Sequence, residues 1–264
     1  MTPPAAIAAA RRQLPVVSAG AGDGAPALCW RLQGRRVCAS TERELEAWLA
    51  GGGPLPLPPP LPPPLPLAVI ARRQRFGRGQ QGRFWSSPPG GVWLSAALPW
   101  PEQPAGAASL ALAAAVGLAL ELEALGLAVQ LKWPNDLLLR GRKLAGLLPR
   151  LRLRGGRIRW AQVGVGLNGR NRVPAGAIAV AEVLGRRHPA AAPAALAARV
   201  LRGLEWAAAA AGQPELVRRQ AERRLLASGS VQHAGQCWQV VGLGTDGSLS
   251  LRNGAECCNL QRSF

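Results

Sequence analysis

Apolar and polar positions alternate with a period of two in several short runs, and longer stretches with a helical period lie between them. Leu67 to Ala71 and Val92 to Leu98 read as strands, the second with Trp93 and Ser95 on one face and Leu94 and Ala96 on the other. In the run that starts at Val129, Val129, Leu131 and Trp133 make an apolar face while Gln130 and Lys132 point away. Pro134 cannot donate to a ladder and ends that pairing, and Asn135 and Asp136 suit the turn that follows. Leu137 to Leu139 and Lys143 to Leu148 then form two strands about Arg140-Gly141, and Ile158 to Leu167 gives another.

Thr41 opens a helix as a capping box with Glu44, and Leu45, Trp48 and Leu49 form its stripe. The longest apolar stretch, Ala105 to Leu127, is rich in Ala and carries Glu121 and Glu123, which makes it a buried core helix rather than a membrane span. Pro193 to Ala211 and Pro214 to Leu226 read as two more helices. From Gly229 the pattern changes to short strands with turns at Thr245 to Ser248 and at Asn253-Gly254. The expected organisation is a poorly ordered N-terminus over 1–27, a mixed α+β domain over 28–226 interrupted by a stiff polyproline loop at 51–66, and a small β domain over 229–264.

At 264 residues and 48% apolar content, the chain has ample material for such a core. The net charge of +18 favours an anionic partner. Yet the chain has no Tyr, only three Phe and no recognised nucleic-acid module, and its Arg excess accompanies an excess of Ala, Gly and Pro, so a basic nucleic-acid binder is the weaker reading. Five cysteines without a Cys-x-x-Cys pair fit a reducing cytoplasm. The two histidines lie far apart and near no acid, so no metal site is expected. The N-terminus lacks a signal-peptide core.

Of 32 basic residues only Lys132 and Lys143 are Lys, both in one stretch, where a compact ammonium serves better than a planar guanidinium. A two-residue turn at Arg140-Gly141 pairs Leu139 with Arg142, Leu138 with Lys143 and Asp136 with Ala145. Asp136 and Lys143 then share a face as diagonal neighbours roughly 7 to 8 Å apart. Such a pair is either a surface salt bridge or a device that polarises a nucleophile while neutralising a phosphate or carbonyl oxygen. Upstream, Gly77, Gly79 and Gly82 spell G-x-G-x-x-G, but no helix opens there and the Gly-Lys-Ser/Thr end of a Walker loop is missing. What remains is a flexible glycine loop whose Arg78 and Arg83 can wrap a phosphate.

Lys132-Trp133-Pro134-Asn135-Asp136 followed by Arg142-Lys143-Leu144-Ala145-Gly146 resembles the signature of the biotin protein ligases, with its seven-residue Asp-to-Lys spacing. The resemblance runs from about Cys38 to Pro174 and more weakly to the C-terminus. Gln74, Gly77, Arg78, Gly79, Gly82, Arg83 and Trp85 match the family's lid, and Gln80 stands where Arg is usual. Ser40 and Thr41 match a Ser-Thr-Asn that faces the biotin ureido ring, with Glu42 in place of Asn. Gly166 to Pro174 is similar to the family's adenine-site segment, so Asn168 is either a nucleotide contact or a turn former.

The resemblance implies a class II synthetase-like mixed sheet packed with helices, followed by a small β-barrel, in the form without an N-terminal DNA-binding domain. It implies biotin and ATP as substrates with Mg²⁺, a biotin carboxyl carrier protein as partner, and no nucleic acid or membrane, and it allows a homodimer. Catalysis would fall to Lys143, Asp136 and Arg78. Biotin binding would fall to Ser40, Thr41, Gln74, Gly77, Arg78, Gly79, Trp85, Lys143 and Gly146, with Trp133 as a further pocket wall. Contacts to ATP and the adenylate would come from Arg78, Arg83, Lys132, Asn135, Lys143 and Asn168. The rival activities are a lipoate or octanoate transferase, whose Arg-Arg-x-Ser/Thr-Gly-Gly-Gly pattern is missing, and a degenerate ligase weakened at Glu42 and Gln80.

Overall fold

The computed structural model describes residues 4–14, 28–51, 66–226 and 230–261. The polyproline loop expected at 51–66 falls almost wholly outside the described residues. So do 1–3 and 15–27 of the N-terminus, while 4–14 are described and ordered. A helix α1 (Pro4–Arg12) buries Ile7 completely, and Arg11 donates to Glu205 at 2.6 Å. The expectation of disorder fails there because one apolar side chain and one ion pair anchor a segment that composition alone marks as featureless.

A mixed sheet of seven strands follows: β1 (Arg31–Arg35), β2 (Leu67–Ala71), β3 (Val92–Leu98), β4 (Val129–Lys132), β5 (Asp136–Leu139), β6 (Arg142–Arg154) and β7 (Arg157–Leu167). Their spatial order is β1-β2-β3-β7-β6-β5-β4. Only β1 and β2 run parallel, and the other neighbours are antiparallel. Between the strands stand α2 (Thr41–Leu49) and α3 (Leu110–Glu123); after β7 come α4 (Val180–Leu184), α5 (Pro193–Ala209) and α6 (Pro214–Glu222).

Alternation along the strands divides the core. Ala68, Ile70, Val92, Leu94 and Ala96 join the large cluster that includes α3 and α5, whereas Leu67, Val69 and Ala97 pack with Leu45 and Trp48 of α2 on the opposite face. The α3 and α5 backbones approach so closely that a Cβ on Gly117 would meet the Gly203 carbonyl. Glu121, 4% exposed, is held there by Arg199 and Arg202 at 3.2 and 2.7 Å, which accounts for a carboxylate inside an apolar helix. Among the described residues no helix is long and apolar enough to cross a membrane.

Two details depart from expectation. The helix α2 is capped by Ser40, whose hydroxyl accepts from Glu42 N–H at 3.3 Å, so Thr41 is the first helical residue rather than the cap. The helix α6 stops at Glu222, because Leu131 N–H donates to Arg224 and Leu226 N–H to Leu131, covering the open edge of β4. The C-terminal strands β8 (Ser230–His233), β9 (Gln236–Leu243), β10 (Leu249–Asn253) and β11 (Glu256–Leu260) form an antiparallel sheet in the order β11-β10-β9-β8. These strands make up the small C-terminal β unit expected after the large domain.

Candidate active site

On the α2 face of the large sheet lies a cavity of about 160 Å³. Its floor is built on glycines. A Cβ on Gly146 would come within 2.8 Å of the Trp85 ring, and one on Gly166 within 2.6 Å of Trp85 Nε1, so the indole lies flat on two strands that give up their side chains to it. Gly164, Leu147 and Leu148 extend the floor. The roof is the glycine loop, whose backbone closes on itself through Gly79 N–H to Arg83 at 2.7 Å and Trp85 N–H to Gly77 at 2.9 Å.

One end of the cavity is a polar chain. Thr41 donates from its N–H to Gln74 Oε1 at 2.7 Å and from its hydroxyl at 3.0 Å, and that hydroxyl lies 2.8 Å from Ser95 Oγ. Gln74 in turn donates to Ser87 Oγ, which donates to the Trp85 carbonyl. The helix start, the β3 strand and the lid are thereby locked to one another.

At the other end Lys143 Nζ lies 2.7 Å from Asp136 Oδ2 and 5.0 Å from the centre of the Trp85 ring. The β5–β6 pairing shifts register between Leu137 and Leu138, so Asp136 stands opposite Gly146 rather than Ala145. Lys143 is gripped from its other side, donating its N–H to Gly176 and accepting from Ile178 N–H, both at 3.0 Å. Asn135 fixes the turn by donating to the Leu147 carbonyl at 2.5 Å. Arg78 and Arg83 line the roof with no carboxylate partner among the described residues. Buried donors Trp85 Nε1 and Gln80 Nε2 likewise have no acceptor. Cations and unfilled donors over one cavity suit a ligand rich in anionic oxygen.

Of the residues picked out by sequence, Ser40, Thr41, Gln74, Arg78, Gly79, Arg83, Trp85, Asn135, Asp136, Lys143 and Gly146 line this cavity. Gly77, Lys132, Asn168 and Trp133 do not. Gly77 is buried beneath the lid, where a Cβ would strike Ser87 and Trp85, and Lys132 is exposed beyond the cavity. Asn168 is 4% exposed and braces Lys143 from behind, receiving from Asn171 and holding the β6 backbone through its N–H to Leu144. Trp133 reaches away to donate to the Gly247 carbonyl at 2.8 Å. Sequence reasoning missed Ser95 and Gly164 as lining residues, although the alternation around each pointed to this face. Cys38, next to the cavity, has its thiol pushed up to about 11 by burial, with Glu44 adding to the effect, which disfavours the thiolate.

Residues 61–168 match the model of the Biotin/lipoate A/B protein ligase family. That stretch, less than half of the chain, is similar to the family. A Bacillus subtilis relative named bifunctional ligase/repressor BirA is 39% identical over 103 residues, which is 38% of this chain and 31% of that protein. A Paracoccus denitrificans biotin--[acetyl-CoA-carboxylase] ligase is 38% identical over 116 residues, 42% of this chain and 47% of the relative. The matched stretch thus spans less than half the length of either. The likeness of fold reaches further: a structure of biotin protein ligase from Aquifex aeolicus, in complex with biotin and ATP, superposes with a TM-score of 0.66 at 22% identity, covering 87% of this chain and 94% of that one. The likeness to that structure is one of fold, and it extends well beyond residues 61–168.

Proposed function

We propose that the protein is a biotin protein ligase that activates biotin with ATP and transfers it to a lysine of a biotin carboxyl carrier protein. The observation that carries this reading is the enclosure of one cavity by a Lys143–Asp136 pair and an arginine-bearing glycine lid, with a neutral polar chain at its far end. A free carboxylate is a poor acyl donor. Its oxygen attacks the α-phosphorus of ATP, the bond to the bridging oxygen breaks, and biotinyl-5′-adenylate and pyrophosphate result. Arg78, Arg83 and Lys143 would stabilise the charge that gathers on the phosphate oxygens. In the second step the carrier's lysine amine attacks the mixed anhydride, AMP leaves, and Asp136 orients the amine and takes up its proton.

Mg²⁺ enters this scheme as part of the nucleotide substrate. Among the described residues no three His, Cys, Asp or Glu side chains gather to hold a metal, and Asp136 is engaged by Lys143. A lipoyl or octanoyl chain would set saturated carbon against the hydroxyl and carboxamide groups of Thr41, Ser95 and Gln74, an unfavourable match that biotin's polar ring avoids. The free state of all five cysteines supports a reducing, cytoplasmic setting. The decisive experiment is biotin-dependent exchange of labelled pyrophosphate into ATP by the wild type and by Lys143→Ala. Exchange by the first and its loss in the second is expected, and no exchange by the wild type would overturn the assignment.

A further inference from the structure

Outside the cavity, the lid carries large apolar side chains that the described residues leave uncovered. Phe76 is 64% exposed and Phe84 69%, and Val37, in the segment against which the base of the lid rests, is 45% exposed. Their backbones are held in place, so this is not the exposure of a loose tip. Phe76 N–H donates to the Ala39 carbonyl at 2.8 Å, and Phe84 is bridged to Arg78. Alternation sets the directions. Trp85 goes down onto the glycine floor, so Phe84, one residue before it, and Arg78, opposite Phe84, stand up at the cavity mouth. At the base of the lid Cys38 bridges Gln74, and both turn inward, Cys38 into the protein and Gln74 into the cavity. Val37, Arg73 and Arg75, which flank that bridge, are exposed on its other side.

The charge of this surface is one-sided. The sequence from Ala47 to Pro101 contains no acid, and among the described residues none of Arg72, Arg73, Arg75, Arg78 and Arg83 pairs with a carboxylate. Aromatic side chains and arginines fixed together on an outer surface have the composition of a protein interface rather than of a solvated face. What occupies it follows from where it stands. The surface frames the mouth of the cavity in which Lys143 and Asp136 meet, and in the second step the acceptor's lysine amine must enter there to reach the mixed anhydride. Neither biotin nor ATP has use for an apolar surface outside the cavity, whereas a protein that must present one lysine does. The uncompensated arginines set the sign of that protein, which is acidic. Exposed phenylalanines beside arginines can also stack on the bases of a single-stranded nucleic acid. The position of the patch, around the entrance for an amine, favours the protein.

We infer that the outer face of the lid, with Phe76 and Phe84 as apolar anchors and Arg73 and Arg75 as the charges beside them, is the docking surface for the acceptor protein. That partner meets it with an apolar patch set in an acidic surface around the target lysine. This rests on the ligase reading above.

The test separates docking from chemistry by following three reactions of the full chain. These are biotin-dependent pyrophosphate exchange, transfer to a biotin carboxyl carrier domain, and transfer to hydroxylamine, a nucleophile too small to engage the outer face of the lid. Phe76→Ser should raise KM for the carrier about tenfold or more, and Phe76→Leu should restore most of it, while exchange and capture by hydroxylamine stay within about twofold. Arg73→Glu combined with Arg75→Glu should lower kcat/KM for the carrier about tenfold or more at low salt and flatten its decline with added salt, again sparing the other two reactions. An active wild type whose KM for the carrier is unmoved in both variants overturns this inference and leaves the ligase reading standing. A loss shared by all three reactions also overturns it, since that marks a lid that has lost its shape. So does a single-stranded oligonucleotide that binds the wild type at physiological salt and fails to bind variants whose KM for the carrier is unchanged. A wild type that exchanges nothing with biotin overturns the ligase reading and this inference with it.

Discussion

Lys143 Nζ and Asp136 Oδ2 meet at 2.7 Å on the lid side of the sheet, and Gly146 shares that face with them because β6 carries one residue more than β5 between them. In a regular ladder Lys143 and Gly146, three residues apart, would point to opposite faces. The shift in register between Leu137 and Leu138 leaves an extra residue in β6, sends Leu144 into the core at 0% exposure, and brings Asp136, Lys143 and Gly146 onto one face. The bulge thereby sets the charge pair beside the glycine floor of the cavity.

Because that pair is partly exposed, its loss should matter for chemistry and hardly at all for folding. Lys143→Ala and Asp136→Asn should each cost less than about 1 kcal/mol of stability in urea titrations. Pyrophosphate exchange should fall by about 10²- to 10³-fold in Lys143→Ala, the scale of losing one positioned charge over a developing anion. Asp136→Asn should spare exchange more than it spares transfer to the carrier, since the lysine amine enters only in the second step. Equal loss in both steps would count against that division of labour.

How far could these features be read without coordinates? The hairpin turn, the pairs Leu139 with Arg142 and Leu138 with Lys143, and the face split in β3 follow from alternation and turn chemistry, which are local. The bulge at Leu144 was not legible, because it answers to the 176–178 segment, which grips Lys143 from over thirty residues away. Glu42 looked like a defect in isolation. Its partner Arg150 sits on a strand more than a hundred residues further on, and only the packing of α2 over β6 joins them. Trp133 misled for the same reason: an aromatic beside a motif reads as a pocket wall, and its indole goes to another sheet.

The glycine floor makes a paired prediction. In Gly166→Ala the new methyl would collide with the Trp85 indole, whereas in Gly164→Ala the nearest atom, Leu148 Cβ, is at an ordinary 3.4 Å. Gly166→Ala should displace Trp85, change the near-ultraviolet circular dichroism, and raise KM for biotin by about tenfold or more, since overpacking costs about 1 to 3 kcal/mol. Gly164→Ala should stay near wild type in the spectrum. Similar behaviour of the two variants would mean that Trp85 is not seated on β7 in solution.

Stability should also carry a pH signature from two carboxyls, one buried and one partly buried. Burial raises Glu121 above 4.5, with Arg202 and then Arg199 partly offsetting it, and burial likewise raises Glu205, opposed by the Trp30 indole and Arg11. A folded-state value above the unfolded one means the folded chain holds the proton more tightly. The stabilisation is complete below about 4.5 and is lost as pH rises through the raised value. Glu205→Gln keeps an acceptor for Trp30 and Arg11 but cannot titrate. Plotted from pH 4 to 7, its stability should decline less than that of the wild type, and parallel curves would refute the linkage.

The last prediction concerns Trp133, whose Nε1 donates to the Gly247 carbonyl in the turn between β9 and β10. Gly247 has φ +89° and presses so closely on Ser109, at the start of α3, that a Cβ would not fit. The indole thus pins a turn that already abuts the helix, tying the C-terminal sheet to the large one. Trp133→Phe keeps the ring and removes the donor. It should cost about 0.5 to 1.5 kcal/mol and speed amide exchange at Gly247 and Ser248, while KM for biotin stays unchanged because Trp133 does not line the cavity. A large rise in KM with no change in exchange at that turn would return Trp133 to the wall of the biotin pocket.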